Sequence, residues 1–357
     1  MRGVLSGEKV IVVGVEADSF ELKGYGRKKG RGAQKEEESE LTLSLEEAAF
    51  LLEAEKLVIK TDKETTLTLE EFFKHALNIS PNFGARYIVY KDLKDRGYVV
   101  QPGGVDFWLY PRGAKQGETH ARYFIRILSE EEFFSLKELA ALLILGHNMR
   151  KEPIIAVVDD ESDITYYKVR EAKFETIAKR DEKEGRKREK KSTKDLFLLG
   201  DKVVLWDADL AEHLYTSAFY GKLTKENRLL LSLVEAAYLI KKGLLELSFE
   251  QFIERAAGIE SGFMAKYNVY EDLRETGLIL KTGFKFGSHF RVYKAVDQKH
   301  SLDLIHVLPE EYIFSMSDLA RAVRLAHGVK KRMVFSFTED VGAESRINYI
   351  DVGRMKL

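Results

Sequence analysis

Apolar residues recur along this chain with two spacings, and the whole progression is run through twice. LSLEEAAFLLEAEK from residue 43 and LSLVEAAYLIKKG from residue 231 place apolar side chains at helical intervals. Each is opened by a serine, Ser44 or Ser232, suited to cap the first turn. LTLEEFFKHALN and LSFEQFIERAAG form a second amphipathic helix in each half. RYIVYKDLKDRG at 86–97 and KYNVYEDLRETG at 266–277 form a third, closed by Gly97 or Gly277, a residue free to enter the left-handed region after a helix. The period then shortens: FRVY, LDLIHVL and RMVFSF read as strands, with SMSDLARAVRLAHG as a helix between the last two. GEKVIVVGVE and GDKVVLWDAD, near the start of each half, also read as strands.

The two halves match residue by residue. Six of the twelve positions in 86–97 and 266–277 are identical: Tyr87/Tyr267, Val89/Val269, Tyr90/Tyr270, Asp92/Asp272, Leu93/Leu273 and Gly97/Gly277. FWLY at 107–110 answers FRVY at 290–293, and ILGHNMRK at 144–151 answers RLAHGVKK at 324–331, in the same order. A duplication follows. Its units run over 1–175 and 195–357, the second dividing into 195–280 and 281–357. Residues 176–194 are the tether: 179–194 holds nine basic and four acidic residues and no large apolar one. GYGRKKGRGAQKEEESE at 24–40 reads as a surface loop of the first unit. The fold class is α/β (α+β): two tandem homologous units, each a mixed α/β piece followed by a strand-richer α/β piece.

Composition narrows the chemistry. With no cysteine among 357 residues, disulfides, thiolate metal sites and cysteine nucleophiles drop out. Fifty-seven basic residues against 58 acidic ones argue against indiscriminate coating of nucleic acid, though not against a local basic patch. The chain has no apolar run of membrane-spanning length, and MRGVLSGEKVIVVGVE lacks the features of a signal peptide, so a soluble, cytoplasmic protein is expected. None of the eight histidines forms an HxxxH pair, and no phosphate-binding glycine loop or nucleophile elbow occurs. Carboxylates do not cluster as a metal-dependent nuclease would need. What remains is a constellation requiring no metal. Tyr293 ends FRVY, His300 begins the next strand-like segment, and Lys331 follows the helix 317–328. Arg324 precedes Lys331 by seven residues, about two helical turns, which would put both on one face together with His327.

The run KTGFKFGSHFRVY…KHS…DLARAVRLAHGVKKRMVF resembles the catalytic half of the archaeal tRNA-splicing endonucleases. The duplication resembles the form of that family in which two fused units make one chain that pairs as a homodimer. The resemblance implies a restriction-endonuclease-like second subdomain in each unit, no cofactor and no metal. It implies Tyr293 as general base and His300 as general acid, with Lys331 offsetting charge on the transition state. The implied substrate is precursor tRNA, cut at the two bulges of a bulge–helix–bulge to leave 2′,3′-cyclic phosphate and 5′-OH ends. Arginines would flank an unpaired base: Arg324 is one, and Arg354 the other, with Arg346 as competitor. A tyrosine titrates ordinarily near about 10, so a base at neutral pH needs a neighbouring cation such as Lys331.

The first unit carries Tyr110, His120 and Lys151 at the matching positions, but Ile144 replaces Arg324 and Trp108 replaces Arg291. An apolar residue there suggests burial in a unit-to-unit contact, and Glu152-Pro153 after Lys151 should alter the local backbone. The resemblance implies a structural role for this unit, with a residual active site as the alternative. Its acidic run Asp159, Asp160, Glu161 is, by resemblance, a loop that docks into a basic groove of the partner chain; read by itself it is an ordinary turn. Two other classes stay open at this point. One is a non-catalytic RNA-binding subunit of a splicing complex; the other is a metal-dependent nuclease, for which Asp303 alone is too little.

Overall fold

The computed structural model describes residues 1–28, 40–114, 119–177, 196–341 and 344–357. The tether lies outside these residues except for 176 and 177, as does the middle of the 24–40 stretch. The start of that stretch is not loop: Arg27–Lys28 is a short strand paired with Glu40–Ser44.

Each unit opens with a small sheet and three helices. In the first these are strands Arg2–Ser6, Lys9–Val13 and Glu40–Ser44 with helices Val15–Leu22, Leu45–Glu53 and Leu69–Ile79. In the second they are strands Leu196–Leu199, Lys202–Leu205 and Leu229–Ser232 with helices Ala208–Ala218, Leu233–Lys241 and Phe249–Ile259. The strand expected over GEKVIVVGVE stops at Val13, and its last residues enter a helix that the apolar pattern does not signal. Ser44 and Ser232 do cap: each forms a reciprocal capping box with Glu47 or Glu235. The same two glutamates are buried, and each also accepts a backbone N–H at 2.9 Å, from Gly26 and Gly221 respectively. These paired contacts align Tyr25-Gly26 with Tyr220-Gly221, and therefore Gly24 with Phe219.

The strand-rich halves follow. In the first unit they are α1 (Phe83–Asp95), β1 (Tyr98–Pro102), β2 (Phe107–Arg112), β3 (Tyr123–Ser129), α2 (Leu136–Met149), β4 (Glu152–Val158) and β5 (Ile164–Glu171). In the second they are α3 (Phe263–Glu275), β6 (Ile279–Thr282), β7 (Phe290–Tyr293), β8 (Asp303–Val307), α4 (Met316–Gly328), β9 (Arg332–Val341) and β10 (Glu344–Met355). All ten strands belong to one sheet, ordered β6-β7-β8-β9-β10-β5-β4-β3-β2-β1. The two halves are mirrored in pairing type: β8 runs parallel to β9 and β3 parallel to β4, and the other neighbours are antiparallel.

The seam is the antiparallel pair β5–β10, with Val169 opposite Val352 and both fully buried. On one face, α2 and α4 lay their apolar stripes into a core drawn from both units, including Leu139, Leu142, Val169, Val323, Met333 and Val352. A second contact on that side pairs Phe133–Ser135 with Ile313–Ser315. The repeated aspartates serve the other side. Asp92 of α1 accepts the Tyr166 hydroxyl of β5 at 2.8 Å, and Asp272 of α3 accepts the Tyr349 hydroxyl of β10 at 2.6 Å. Burial, reinforced by these carboxylates, holds both phenols in the protonated form. Tyr267, Tyr270 and Leu273, three of the repeated residues, are core.

Because Val169 and Val352 are fully buried on the apolar face of the seam, Val352→Asp is expected to bury a carboxylate in that core. The loss should be roughly 4 kcal/mol of stability. Urea titration followed by circular dichroism measures it.

Candidate active site

The second unit brings three chain segments to one end of the sheet. β7 ends at Tyr293, and β8 returns beside it with Val292 opposite Asp303. The Leu302 N–H donates to the Val292 carbonyl at 2.8 Å, so His300 and Ser301 lie just past the end of β7. β8 is parallel to β9, and the α4 crossover returns the chain to Arg332, opposite Asp303. Lys331 therefore sits next to the same loop, and its Nζ donates to the Ser301 carbonyl at 2.8 Å.

Two readings of the local backbone need correction. His300 does not begin a strand; it lies in the loop, three residues before Asp303. Lys331 does not share a helical face with Arg324, because α4 ends at Gly328 and Lys330 turns left-handed at φ 56°. That turn, not helical periodicity, aims Lys331 at the loop.

The loop is tied at several points. Gln298 bridges it: its Oε1 accepts from Lys294 N at 2.8 Å, and its Nε2 donates to the His300 carbonyl at 2.7 Å. Arg332 grips buried Asp303 through two bonds of 2.5 and 2.9 Å. The His300 side chain is exposed while Tyr293 is buried. The Tyr293 ring meets Phe219 edge-on, centroids 6.0 Å apart, and the Arg291 guanidinium lies 5.8 Å from it. Phe286 lies between the cations, its centroid 5.8 Å from the Arg291 guanidinium carbon and 5.9 Å from Lys331 Nζ. Burial and, behind it, the Arg291 charge push Lys331 below the ordinary lysine value of 10.5, with Asp303 pulling the other way.

Phe219 stands in the left-handed region at φ 58°, costly for a bulky residue, where the first unit has Gly24 at φ 77°. Half-buried Lys281 holds it there. Its Nζ donates to the Phe219 carbonyl at 2.9 Å and also to that of Gly221, while sitting 4.4 Å from the Phe219 ring centroid. Arg291, Phe219, Lys281 and Phe286 belong to this site, although sequence reasoning assigned them no role. The available signal was comparison of the units: Gln101 stands opposite Trp108 as Lys281 stands opposite Arg291.

Arg324 is exposed on α4 and Arg354 on β10. Both bear on Tyr167, whose hydroxyl burial raises and these two cations lower. Arg354 is opposite Tyr167 across the seam and two residues from Val352, itself the partner of Met333, two residues from Lys331. Arg346 is opposite Glu339, toward the far end of the hairpin. Arg354, not Arg346, is thus the arginine near Arg324.

In the first unit the equivalent side chains are differently engaged. Tyr110 donates its hydroxyl to Gln101 Oε1 at 3.1 Å, Lys151 Nζ lies 5.3 Å from the Trp108 ring centroid, and His120 is exposed. Pro153 does not change the backbone. Arg150 adopts φ 55° as Lys330 does, and Glu152 pairs with Tyr123 as Arg332 does with Asp303. Gly146 makes room, since a Cβ there would come within 3.1 Å of the Pro153 ring and 2.7 Å of the Lys151 carbonyl. The expected burial of Ile144 against the other unit is also not found: it is 64% exposed, because the seam and the Phe133–Ser135 ribbon make the contact between units. Among the described residues, no three His, Asp or Glu side chains are grouped to hold a metal ion, and no helix is long and apolar enough to cross a membrane.

The description "tRNA intron endonuclease, catalytic C-terminal domain" matches residues 83–166 and again 263–349. "tRNA intron endonuclease, N-terminal domain" matches 1–73 and 195–253. The chain belongs to the tRNA intron endonuclease family. It is 41% identical over 370 residues to a tRNA-splicing endonuclease of Methanosarcina barkeri, covering all of both chains. It is 39% identical over 371 residues to that of Methanosarcina acetivorans, again over both full lengths, and 32% over 378 residues to that of Halobacterium salinarum, with 99% of each covered. As a family member it is an RNA endonuclease of tRNA processing. Tyr293, His300, Arg324 and Lys331 fall within the second catalytic match, and Tyr110, His120 and Lys151 within the first.

The charges around Lys331 allow a two-signed test. With lysine-selective ¹³C labelling, Lys331 should titrate below 10.5. Arg291→Gln should raise that value by removing a like charge, and Asp303→Asn should lower it by removing an opposite one. The Lys331→Arg spectrum assigns the signal.

Proposed function

We propose that this chain cuts precursor tRNA at both exon–intron junctions, at the bulges of a bulge–helix–bulge, without a metal. One observation carries the reading: Lys331 bonded to the Ser301 carbonyl, beside His300, at the sheet end where Tyr293 closes β7. Tyr293 takes the proton of the 2′-OH, which attacks the adjacent phosphorus. The bond to the 5′ oxygen breaks, and His300 protonates that oxygen. The ends are a 2′,3′-cyclic phosphate and a 5′-OH. Lys331 offsets the charge that builds on the phosphoryl oxygens. Each contribution is of the order of 10²–10⁴ in rate.

Arg324 and Arg354 flank an unpaired base of the bulge, where guanidinium planes stack. Their shared proximity to Tyr167 supports this pairing. The first unit, 1–175, is structural, with Tyr110 engaged by Gln101 and an isoleucine in place of Arg324. The units on either side of the tether 176–194 make one chain, and two chains form a homodimer with two sites for two cuts. Docking to the partner falls to the acidic turn. Asp159 Oδ1 accepts from Glu161 N at 3.1 Å and Asp163 N at 2.8 Å, so Asp159 closes the turn and presents exposed Asp160 and Glu161. The enzyme works in the cytoplasm.

End-labelled precursor tRNA with both bulges, incubated in EDTA, is the test. Wild type should cut twice and leave cyclic phosphate ends, whereas His300→Ala and Tyr293→Phe should each slow cleavage by roughly 10²-fold or more. Lys151→Ala should cut within a few-fold of wild type. Cleavage appearing only with Mg²⁺ would sink the metal-free mechanism, and RNA binding with no cleavage would favour a non-catalytic subunit.

A further inference from the structure

Between its first two strands the strand-rich half of unit one spends four residues, 103–106, and that of unit two spends seven, 283–289. The shorter connection is covered: the Trp108 ring lies against Gly103 and Gly104 so closely that a Cβ on Gly103 would come within 2.1 Å of the indole nitrogen. The longer one does the reverse. It folds Phe284–Phe286 into a single tight turn and leaves Phe284 88% exposed, more than any other large apolar side chain among the described residues.

The turn is held at many points. The Gly283 N–H donates to the His289 carbonyl at 2.8 Å, the Phe286 N–H to Gly283 at 2.8 Å, and the Gly287 N–H to Phe284 at 3.0 Å. Gly287 supplies the left-handed residue at φ 61°. Buried Ser288 donates its hydroxyl to the Gly283 carbonyl at 3.3 Å, and His306 Nδ1 lies 3.0 Å from the Gly287 carbonyl. A Cβ on Gly283 would come within 2.2 Å of Ser288 Oγ, so the turn closes only over a glycine. The two phenylalanines have separate fates. Phe286 points inward, between Arg291 and Lys331, while Phe284 is held outward two residues away, beside exposed Lys285.

An aromatic ring kept in water by an ordered turn, next to exposed Lys285 and two residues from Phe286, which Arg291 and Lys331 flank, suits a partner that is both anionic and flat-faced. We propose that Phe284 is a stacking platform for an unpaired nucleobase of the RNA, next to the phosphate that is cut. The cations hold the backbone and the ring takes the base, a combination that binds single-stranded nucleotides with little regard to their identity. A base inside a continuous duplex offers no free face, so the contact distinguishes bulged from paired RNA. This inference rests on the RNA-cleaving reading of the site given above.

The test is binding of a short bulge–helix–bulge RNA, and of the same RNA with both bulges paired, to the full chain carrying His300→Ala so that nothing is cut. Wild-type cleavage of the bulged RNA is run beside it. Adding Phe284→Ala should weaken binding of the bulged RNA by roughly 5- to 150-fold, the usual worth of a stacked base. Affinity for the paired RNA should stay within 2-fold, and Phe284→Trp should restore the bulged RNA. A 2-aminopurine in the bulge should be quenched on binding, and the quenching should be lost with Phe284→Ala. Unchanged binding, or equal loss on both RNAs, overturns the proposal. So does a Phe284→Ala chain that sediments as a smaller species, which would place the ring between copies of the chain. If wild type cuts and Phe284→Ala binds normally, only this inference fails. If wild type neither binds nor cuts, the reading of the site fails first.

Discussion

The antiparallel pairing of β5 with β10 is the constraint on which the rest of the molecule depends. Without it each strand-rich half would be a five-stranded sheet ending in an open edge, with a row of unpaired N–H and C=O groups. Joined, the two edges satisfy each other, and the apolar positions on one face merge into a core that neither unit could close alone. The join also places Arg354 opposite Tyr167 and within reach of the same hydroxyl as Arg324. A residue of the first unit thus feels the charge of two arginines of the second.

One backbone carries two sets of side chains here, and the differences fall at matched positions. The left-handed turn before Lys331 recurs before Lys151, and the parallel β8–β9 pair recurs as β3–β4. The charges around that pair are exchanged between the units. Arg332 grips Asp303 in the second unit, whereas in the first Glu152 faces Lys168 and, at 3.5 Å, Arg122. Tyr110 is engaged by Gln101, but at the position of Gln101 the second unit has a half-buried lysine that bonds to the Phe219 and Gly221 carbonyls. Exchanging an amide for an ammonium removes the partner from one tyrosine and recruits a neighbouring ring to the other.

Strain and cations are concentrated around Tyr293. Phe219 occupies a conformation that glycine holds freely in the other unit, and its carbonyl is bonded to a lysine that burial pushes below its ordinary value against the pull of Glu235. Lys331 is likewise depressed by burial and by Arg291. A site that gathers Lys281, Arg291 and Lys331 beside aromatic rings is electropositive, and a negatively charged group is what such a field favours. Local conflict of this kind is found where function, not folding, sets the residue.

Much of this was legible in the chain itself. Helical spacing, the capping serines Ser44 and Ser232, and the closing glycines Gly97 and Gly277 are local signals, and the helices lie where those signals put them, because caps and periodicity act within a turn or two. The duplication was legible from six identities in twelve positions, and the family from ordered blocks around Tyr293, His300 and Lys331. The helix Val15–Leu22 was not, because its apolar pattern is weak and packing against its neighbours decides it. What only the tertiary structure decided is long-range. The union of the two sheets depends on strand edges that carry no sequence signature, the approach of Lys331 to Ser301 depends on one left-handed residue, and the seating of Phe219 on Tyr293 depends on a lysine 62 positions further along the chain. Pattern records which face of an element is apolar; which other face it meets is settled only when the whole chain competes for burial.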